Sequence, residues 1–142
     1  MRKALILAAL VAMAIPAMAS DVGLIKVSKG DVRIERAGAR VAASVGTGVQ
    51  ASDVIVTGSD GLAGITFTDN SLVSLGPNSR LSIDRYRFDS TTHQGEFESS
   101  LTKGRLAAIS GKMVKQSPEA MKVRTPSAIM GVRGTEFIVQ VD

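Results

Sequence analysis

Along the stretch GITFTD (64–69), Ile65 and Phe67 alternate with Thr66 and Thr68. In RLSIDRYRF (80–88), Leu81, Ile83 and Arg85 fall on one side and Ser82 and Asp84 on the other. In EFIVQV (136–141), Phe137, Val139 and Val141 oppose Glu136, Ile138 and Gln140. A period of two puts each apolar set on one face of a sheet. Similar short runs recur at LIKVS (24–28), VRIER (32–36), VIVTG (54–58), SLVSLG (71–76), EFESSL (96–101), GRLAAIS (104–110) and MKVRT (121–125). Gly, Asp, Asn and Pro fall at the breaks, about 8–12 residues apart, which is the rhythm of an all-β chain. Helical periodicity is weak here, although KQSPEAM (115–121) predicts one helical turn, capped by Ser117 with Pro118 at its first position. From Asp53 to Tyr86 the runs are short and evenly spaced. That density predicts a compact rolled or solenoid-like sheet of many short strands, with an antiparallel β-sandwich as the alternative.

The first nineteen residues follow a different logic. Arg2 and Lys3 precede the apolar run ALILAALVAMAI, Pro16 ends it, and Ala17-Met18-Ala19 has the small-x-small form of a signal-peptidase site. The run is short of the about 20 residues that a stable span needs. The expectation is a cleaved signal peptide over 1–19, a single β domain over 20–142, a periplasmic location, and no membrane span after cleavage. Without Arg2 and Lys3, 17 − 2 = 15 basic residues face 13 acidic ones, so the mature net charge falls from +4 to +2. The remaining basic residues are scattered and aromatics are few, which disfavours nucleic acid as a partner. There is no Cys, so no disulfide framework holds the domain.

Candidate chemistry is sparse. His93 is the only histidine and sits in the polar segment Thr91–Gly95, read as a solvated loop; with no Cys, a zinc site lacks ligands. Asp53, Asp60, Asp69 and Asp84 supply oxygen for calcium, but no D-x-[DN]-x-[DN]-G loop is present. A Ser-His-Asp triad has only His93 to draw on, and no G-x-S-x-G elbow occurs. Asp31, Glu35, Asp84, Asp89, Glu96 and Glu98 are the carboxylates open to glycosidic chemistry, without a spacing that makes them converge. GTGVQA (46–51) matches G-x-G-x-x-A, yet a strand-like run follows where a helix is required. These readings point to a protein that is not an enzyme and carries no metal or cofactor.

The segment TPSAIMGVRGTEF (125–137) resembles the signature of the FecR domain, the periplasmic domain of FecR-like iron-signalling regulators. Gly30-Asp31-Val32 resembles the start of that family's first strand, residues 53–84 its central block, and KGRLAAISGK (103–112) the segment before the signature. The likeness runs in order over about residues 22–141. It implies an exported all-β domain without catalytic activity. In full-length regulators such a domain follows a cytoplasmic anti-sigma segment and a membrane helix, and receives a signal from an outer-membrane iron-siderophore transporter. Here a cleavable signal stands in place of that anchor and the sequence stops at Asp142, so a free-standing copy is expected. Its partner is expected to be an envelope protein or cell-wall ligand. The residues that carry the likeness are Asp60, Gly61, Asp69, Ser71, Gly76, Thr125, Pro126, Gly131, Arg133, Gly134 and Thr135. Gly61, Gly76, Gly131 and Gly134 are expected to supply positive φ or close backbone approach, Asp69 and Ser71 to hold their own turn, and Arg133 to brace a corner or, alternatively, to meet an anionic ligand or a partner's carboxylate.

Overall fold

The computed structural model describes residues 20–131 and 136–142; the signal-peptide reading of residues 1–19 lies outside them. The described chain folds as the strands β1 (Asp21–Lys29), β2 (Val32–Arg36), β3 (Ala39–Ala42), β4 (Gly48–Gln50), β5 (Val54–Thr57), β6 (Leu62–Phe67), β7 (Leu72–Leu75), β8 (Arg80–Phe88), β9 (Gly95–Ile109), β10 (Met121–Arg124), β11 (Ile129–Gly131) and β12 (Glu136–Val141). A single turn of helix, α1 (Lys112–Gln116), separates β9 from β10. This is the all-β, rolled architecture that the alternation predicts.

Strand β9 organises the sheet because its fifteen residues run without interruption through both halves of the molecule. Strands β7 and β8 follow one another antiparallel along one of its edges: β8 covers Gly95–Lys103 and β7 covers Leu106–Ile109. Along the other edge, β10 pairs parallel with Phe97–Ser100 and β12 antiparallel with Gly104–Ile109. One wing of the roll therefore reads β4-β1-β6-β7-β9-β12, and the other β3-β2-β5-β8-β9-β10-β11. Their inner faces share one core. Ile25, Ile65, Phe67, Leu75 and Leu106 come from the first wing; Ile34, Ile55, Leu81, Phe97 and Leu101 come from the second. Phe67 stacks on Tyr86 at a centroid distance of 5.4 Å and meets Phe97 at 4.5 Å, joining the wings through aromatic contacts.

The wings part where β9 bends at Gly104, whose φ of +92° is the left-handed region that favours glycine. Space is equally decisive, since a Cβ there would lie 2.1 Å from Ser79 Oγ. Ser79 fills that place with a purpose. Its hydroxyl donates to Gly76 O at 2.8 Å and accepts from the Arg105 N–H at 3.0 Å. Its own N–H donates to Thr57 Oγ1 at 2.9 Å, and Thr57 Oγ1 donates to Gly76 O at 2.7 Å.

Several expectations change. EFESSL and GRLAAIS form one strand: Gly104 keeps its place in the ladder with β12, while along the other edge the register shifts at Thr102 and the partner changes from β8 to β7. Strands β4 and β11 have only three residues each, too short for a period to show, and β3 is exposed along most of its four. The helical turn lies before the position expected for it: Gly111 is its N-cap and Ser117 its C-cap, with Met113 and Val114 buried as anchors. Arg85 does not share the face of Leu81 and Ile83. A register shift between Ile83 and Arg85 leaves Arg85 exposed and turns Tyr86 and Phe88 toward the core.

The corner has a measurable cost of substitution. Gly104→Ala combines left-handed backbone with overlap against Ser79 and is expected to lower stability by about 3 kcal/mol or more. Gly38→Ala has a comparable φ of +78° in open space and is expected to cost only about 1 kcal/mol. Urea midpoints of the two variants check the difference; equal losses would remove the steric role assigned to Ser79.

Candidate functional site

The residues singled out by the resemblance occupy separate corners of the roll. At the first corner, Asp60 Oδ1 accepts the Asp31 N–H at 3.1 Å, and the Gly58 N–H donates to Asp31 O at 2.9 Å. The turn between β5 and β6 is thereby tied to the turn between β1 and β2. Gly61 supplies the close approach expected of it: a Cβ would sit 2.3 Å from Asp31 O.

At the second corner, Asp69 is 1% exposed and has no ion-pair partner among the described residues. Hydroxyl and amide donors surround it instead. Its Oδ1 accepts from Ser71 N–H at 3.1 Å, from Ser71 Oγ at 2.6 Å and from Tyr86 OH at 3.1 Å. Tyr86 OH in turn accepts the Asp69 N–H at 3.1 Å. The Lys112 N–H donates to Asp69 O at 2.8 Å, so the same turn anchors the start of α1. Asp69 and Ser71 thus hold their own turn, as their types suggest, and Tyr86 is the member that the sequence does not reveal. Burial pushes the Tyr86 phenol well above its ordinary range.

Gly76 belongs to the third corner, built with Thr57, Ser79 and Gly104. Its N–H donates to Arg105 O at 3.0 Å while its carbonyl collects the two hydroxyls described above. It needs neither positive φ nor unusual closeness: a Cβ would meet Arg105 Cβ at an ordinary 3.6 Å. Its backbone groups, rather than its missing side chain, serve the corner. Gly131, at the end of β11, also departs from expectation, with no positive φ and open space around it. Thr125 holds the turn between β10 and β11 through its N–H to Ala128 O at 2.8 Å and through its hydroxyl, which accepts the Ala128 N–H at 3.2 Å. Pro126 lies within that turn. Together with Met130 and Val139 these residues line a cleft of about 530 Å³ between the turn and β12. Arg133, Gly134 and Thr135, including the bracing role expected of Arg133, lie outside the described residues.

A further buried charge was not legible from spacing. Asp53 is 1% exposed and receives Arg36 in a two-pronged contact, Nε at 2.8 Å and Nη2 at 2.7 Å, plus the Gln50 N–H at 2.8 Å. His93 is half-buried rather than solvated, stacked on Phe88 at 5.9 Å with a φ of 61°. Asp89 accepts the Thr91 and Thr92 N–H groups, which hold its carboxyl below the usual range. No group of three or more His, Cys, Asp or Glu among the described residues is placed to hold a metal ion.

The outer faces of the two wings differ in kind. On the β3-to-β11 wing, Arg80 pairs with Glu35 at 2.7 Å and lowers the Glu35 carboxyl pKa, and Arg33 pairs with Asp31 at 2.7 Å. Asp84 accepts Ser82 Oγ at 2.7 Å and also Ser100 Oγ, while Lys122 stands opposite Glu98. On the β4-to-β12 wing, one outward row runs Leu24, Thr66, Leu72, Ile109, Glu136 and the next runs Val27, Gly64, Ser74, Ala107, Ile138. Leu72 is 41% exposed, Ile109 40% and Ile138 58%, and Leu62 adds to the same face.

A family model described as FecR protein matches residues 53–142. No curated protein and no solved structure matches the chain.

The Tyr86 environment fixes a pH dependence. The phenol pKa is raised in the folded state, so below about pH 10 the stabilisation is complete, and it is lost as pH climbs toward the folded value. Stability is expected to fall across that alkaline window more steeply than in Tyr86→Phe, by up to about 1.4 kcal/mol per pH unit. Tyr86 is the only tyrosine, so phenolate absorbance during urea unfolding follows it directly; identical alkaline slopes in both proteins would exclude the effect.

Proposed function

The chain belongs to the FecR family, and on that premise we propose that residues 20–142 form a non-catalytic periplasmic binding and sensing module that engages another protein of the cell envelope. The observation that carries this reading is the contrast between the outer faces. One is laced with ion pairs and hydrogen-bonded carboxylates, as a solvated face is, with Ile129 an exposed aliphatic at its β11 end. The other presents Leu24, Val27, Leu62, Leu72, Ile109 and Ile138 at 38–58% exposure with Thr66, Ser74 and Ala107 between them. Contiguous exposed aliphatic surface of this kind marks a site of contact with another macromolecule. The relay of an outer-membrane transporter's signal, which the resemblance implies, supports sensing as the purpose of that contact.

Protein is favoured over polysaccharide because the exposed face is aliphatic, whereas Phe67, Tyr86 and Phe97 pack on one another inside. The reading as a cell-wall polysaccharide binder or scaffold has one feature in its favour. Phe88 and His93 stack beside a cleft of about 540 Å³ lined by Arg87, Asp89, Thr92 and Gln94. A non-catalytic role is supported by the engagement of the candidate carboxylates. Asp31, Glu35, Asp84 and Asp89 each serve a pair or a turn, and Glu96 lies between Arg85 at 3.5 Å and Arg87 at 3.6 Å.

Photo-crosslinking in intact cells separates these readings. A crosslinker placed at Leu72 or Ile109 is expected to give a discrete adduct with another envelope protein, and one at Ser82 none. Leu72→Lys is expected to reduce adduct formed from Ile109 at least about tenfold, given loss of buried apolar area and burial of a charge. Equal labelling from Ser82 would defeat the assignment of the face. Sedimentation with purified peptidoglycan, abolished by Phe88→Ala, would instead favour the polysaccharide reading.

A further inference from the structure

Strand β12 has a partner on one side only. It pairs with β9 from Glu136 to Val141 and with no other described strand. Its six residues make it longer than the other terminal strands of the two wings, β3, β4 and β11. Such edges are commonly blunted by lysine, proline or a bulge. EFIVQV has no proline or lysine, its register against β9 is unbroken, and its single charge is Glu136. Ile138, at 58% exposure, stands in the middle of the strand.

We propose that this edge pairs antiparallel with β12 of a second copy of the chain, about a two-fold axis through Ile138, so that the β4-to-β12 wing continues from one copy into the other. Three observations select that occupant and that register. First, the inner face must meet inner face, or one copy's core residues would be set against the other's solvent side. This requires a two-fold perpendicular to the sheet and residue pairs whose numbers have an even sum. Second, among those registers, the one centred on Ile138 places Ile138 against Ile138 and Glu136 against Gln140, an acceptor against a donor, on the outer face. On the inner face it sets Phe137 against Val139. Centring on Val139 would put Glu136 opposite Asp142 and Ile138 opposite Gln140; centring on Phe137 would put Glu136 opposite Ile138. Third, a cleft bounded by Met130 and Val139 lies at the C-terminal end of β12, and Phe137 of the second copy, set against Val139, would border it. The inference does not rest on the heterologous contact proposed above: it is drawn from the unpaired edge of β12, although Ile138 belongs to both the edge and the face.

The absence of native cysteine makes the register directly readable in the purified mature chain. Directly opposed residues of antiparallel strands have Cα atoms about 4.5–5.5 Å apart, within disulfide reach. Ile138→Cys is therefore expected to form a covalent dimer under mild oxidation. Gln140→Cys is not, because its copies would lie about 13 Å apart along the strand. A mixture of Glu136→Cys and Gln140→Cys chains is expected to yield the mixed dimer. By analytical ultracentrifugation, Gln140→Glu sets carboxylates opposite each other in both outer pairs and is expected to weaken the dimer about tenfold. Adding Glu136→Lys to it restores opposite charges and the association. Unfolding midpoints identify any variant that merely fails to fold. A chain that stays monomeric at its highest soluble concentration overturns the proposal. So does a dimer that Leu72→Cys crosslinks and Ile138→Cys does not, or one indifferent to the charge swap.

Discussion

The architecture depends on β9 passing unbroken through a bend. A fifteen-residue strand belonging to both wings has to turn at one point, keeping β12 along one edge while β8 gives way to β7 along the other. Gly104 provides the turn, and the room left by its missing Cβ is taken by the Ser79 hydroxyl, which bonds the Gly76 carbonyl and the Arg105 amide at the same level. The gap that would otherwise leave backbone groups unsatisfied at the corner is thereby closed. Thr57 extends the same device to β5. Once β9 is bent in this way, β7 and β8 follow it along one edge and β10 and β12 along the other. The two inner faces are then brought together around Phe67, Tyr86 and Phe97.

The family-marking residues gain a common meaning from this geometry. Asp60 and Gly61, and Asp69 and Ser71, sit where a chain reversal is tied to a neighbouring turn, whereas Gly76 sits where the chain passes from β7 on to β8 along β9. Asp69 illustrates the cost and its offset. A carboxylate buried without a cation is strongly unfavourable unless donors replace the water it loses, and here Ser71 and Tyr86 provide them. Tyr86 in turn lies on the far side of a register shift that rotates it inward. The turn of one wing is therefore held by a side chain of the other, and the corner and the aromatic cluster form one unit.

Alternation made most of the strands legible, because one buried face imposes a period of two wherever a strand has four or more residues with a consistent inside. β2, β8 and β12 were visible to the residue. What escaped is local in another sense. β4 and β11 are too short for a period, and β3 is exposed along most of its length. The reversal of Arg85 and Tyr86 arises from one extra residue in β8, which no propensity marks. The partnerships of Ser79 with Gly104 and of Arg36 with Asp53 span 25 and 17 positions, distances over which composition and spacing carry no information. Glycine was the least reliable guide: Gly61 is needed for space, while Gly76 and Gly131 are not.

The corners tie the scaffold together, and the contacts proposed for it would draw on the face and edge of the β4-to-β12 wing. Fully burying a Leu, Val or Ile side chain stabilises an association by about 1.5–3 kcal/mol, and the six exposed aliphatics are each only partly uncovered. Together they can supply about 4–8 kcal/mol, near the lower end of the about 4–15 kcal/mol that association costs in lost freedom. An aliphatic face of this size therefore suits a transient contact more than a permanent one. Backbone pairing along β12 is different in kind. It adds directed hydrogen bonds and fixes a register, and the paired strands would align two such faces side by side. A partner able to span both would bury about twice the apolar area for a single loss of translational freedom. Edge pairing and face contact, if both are made, would thus reinforce one another in energy.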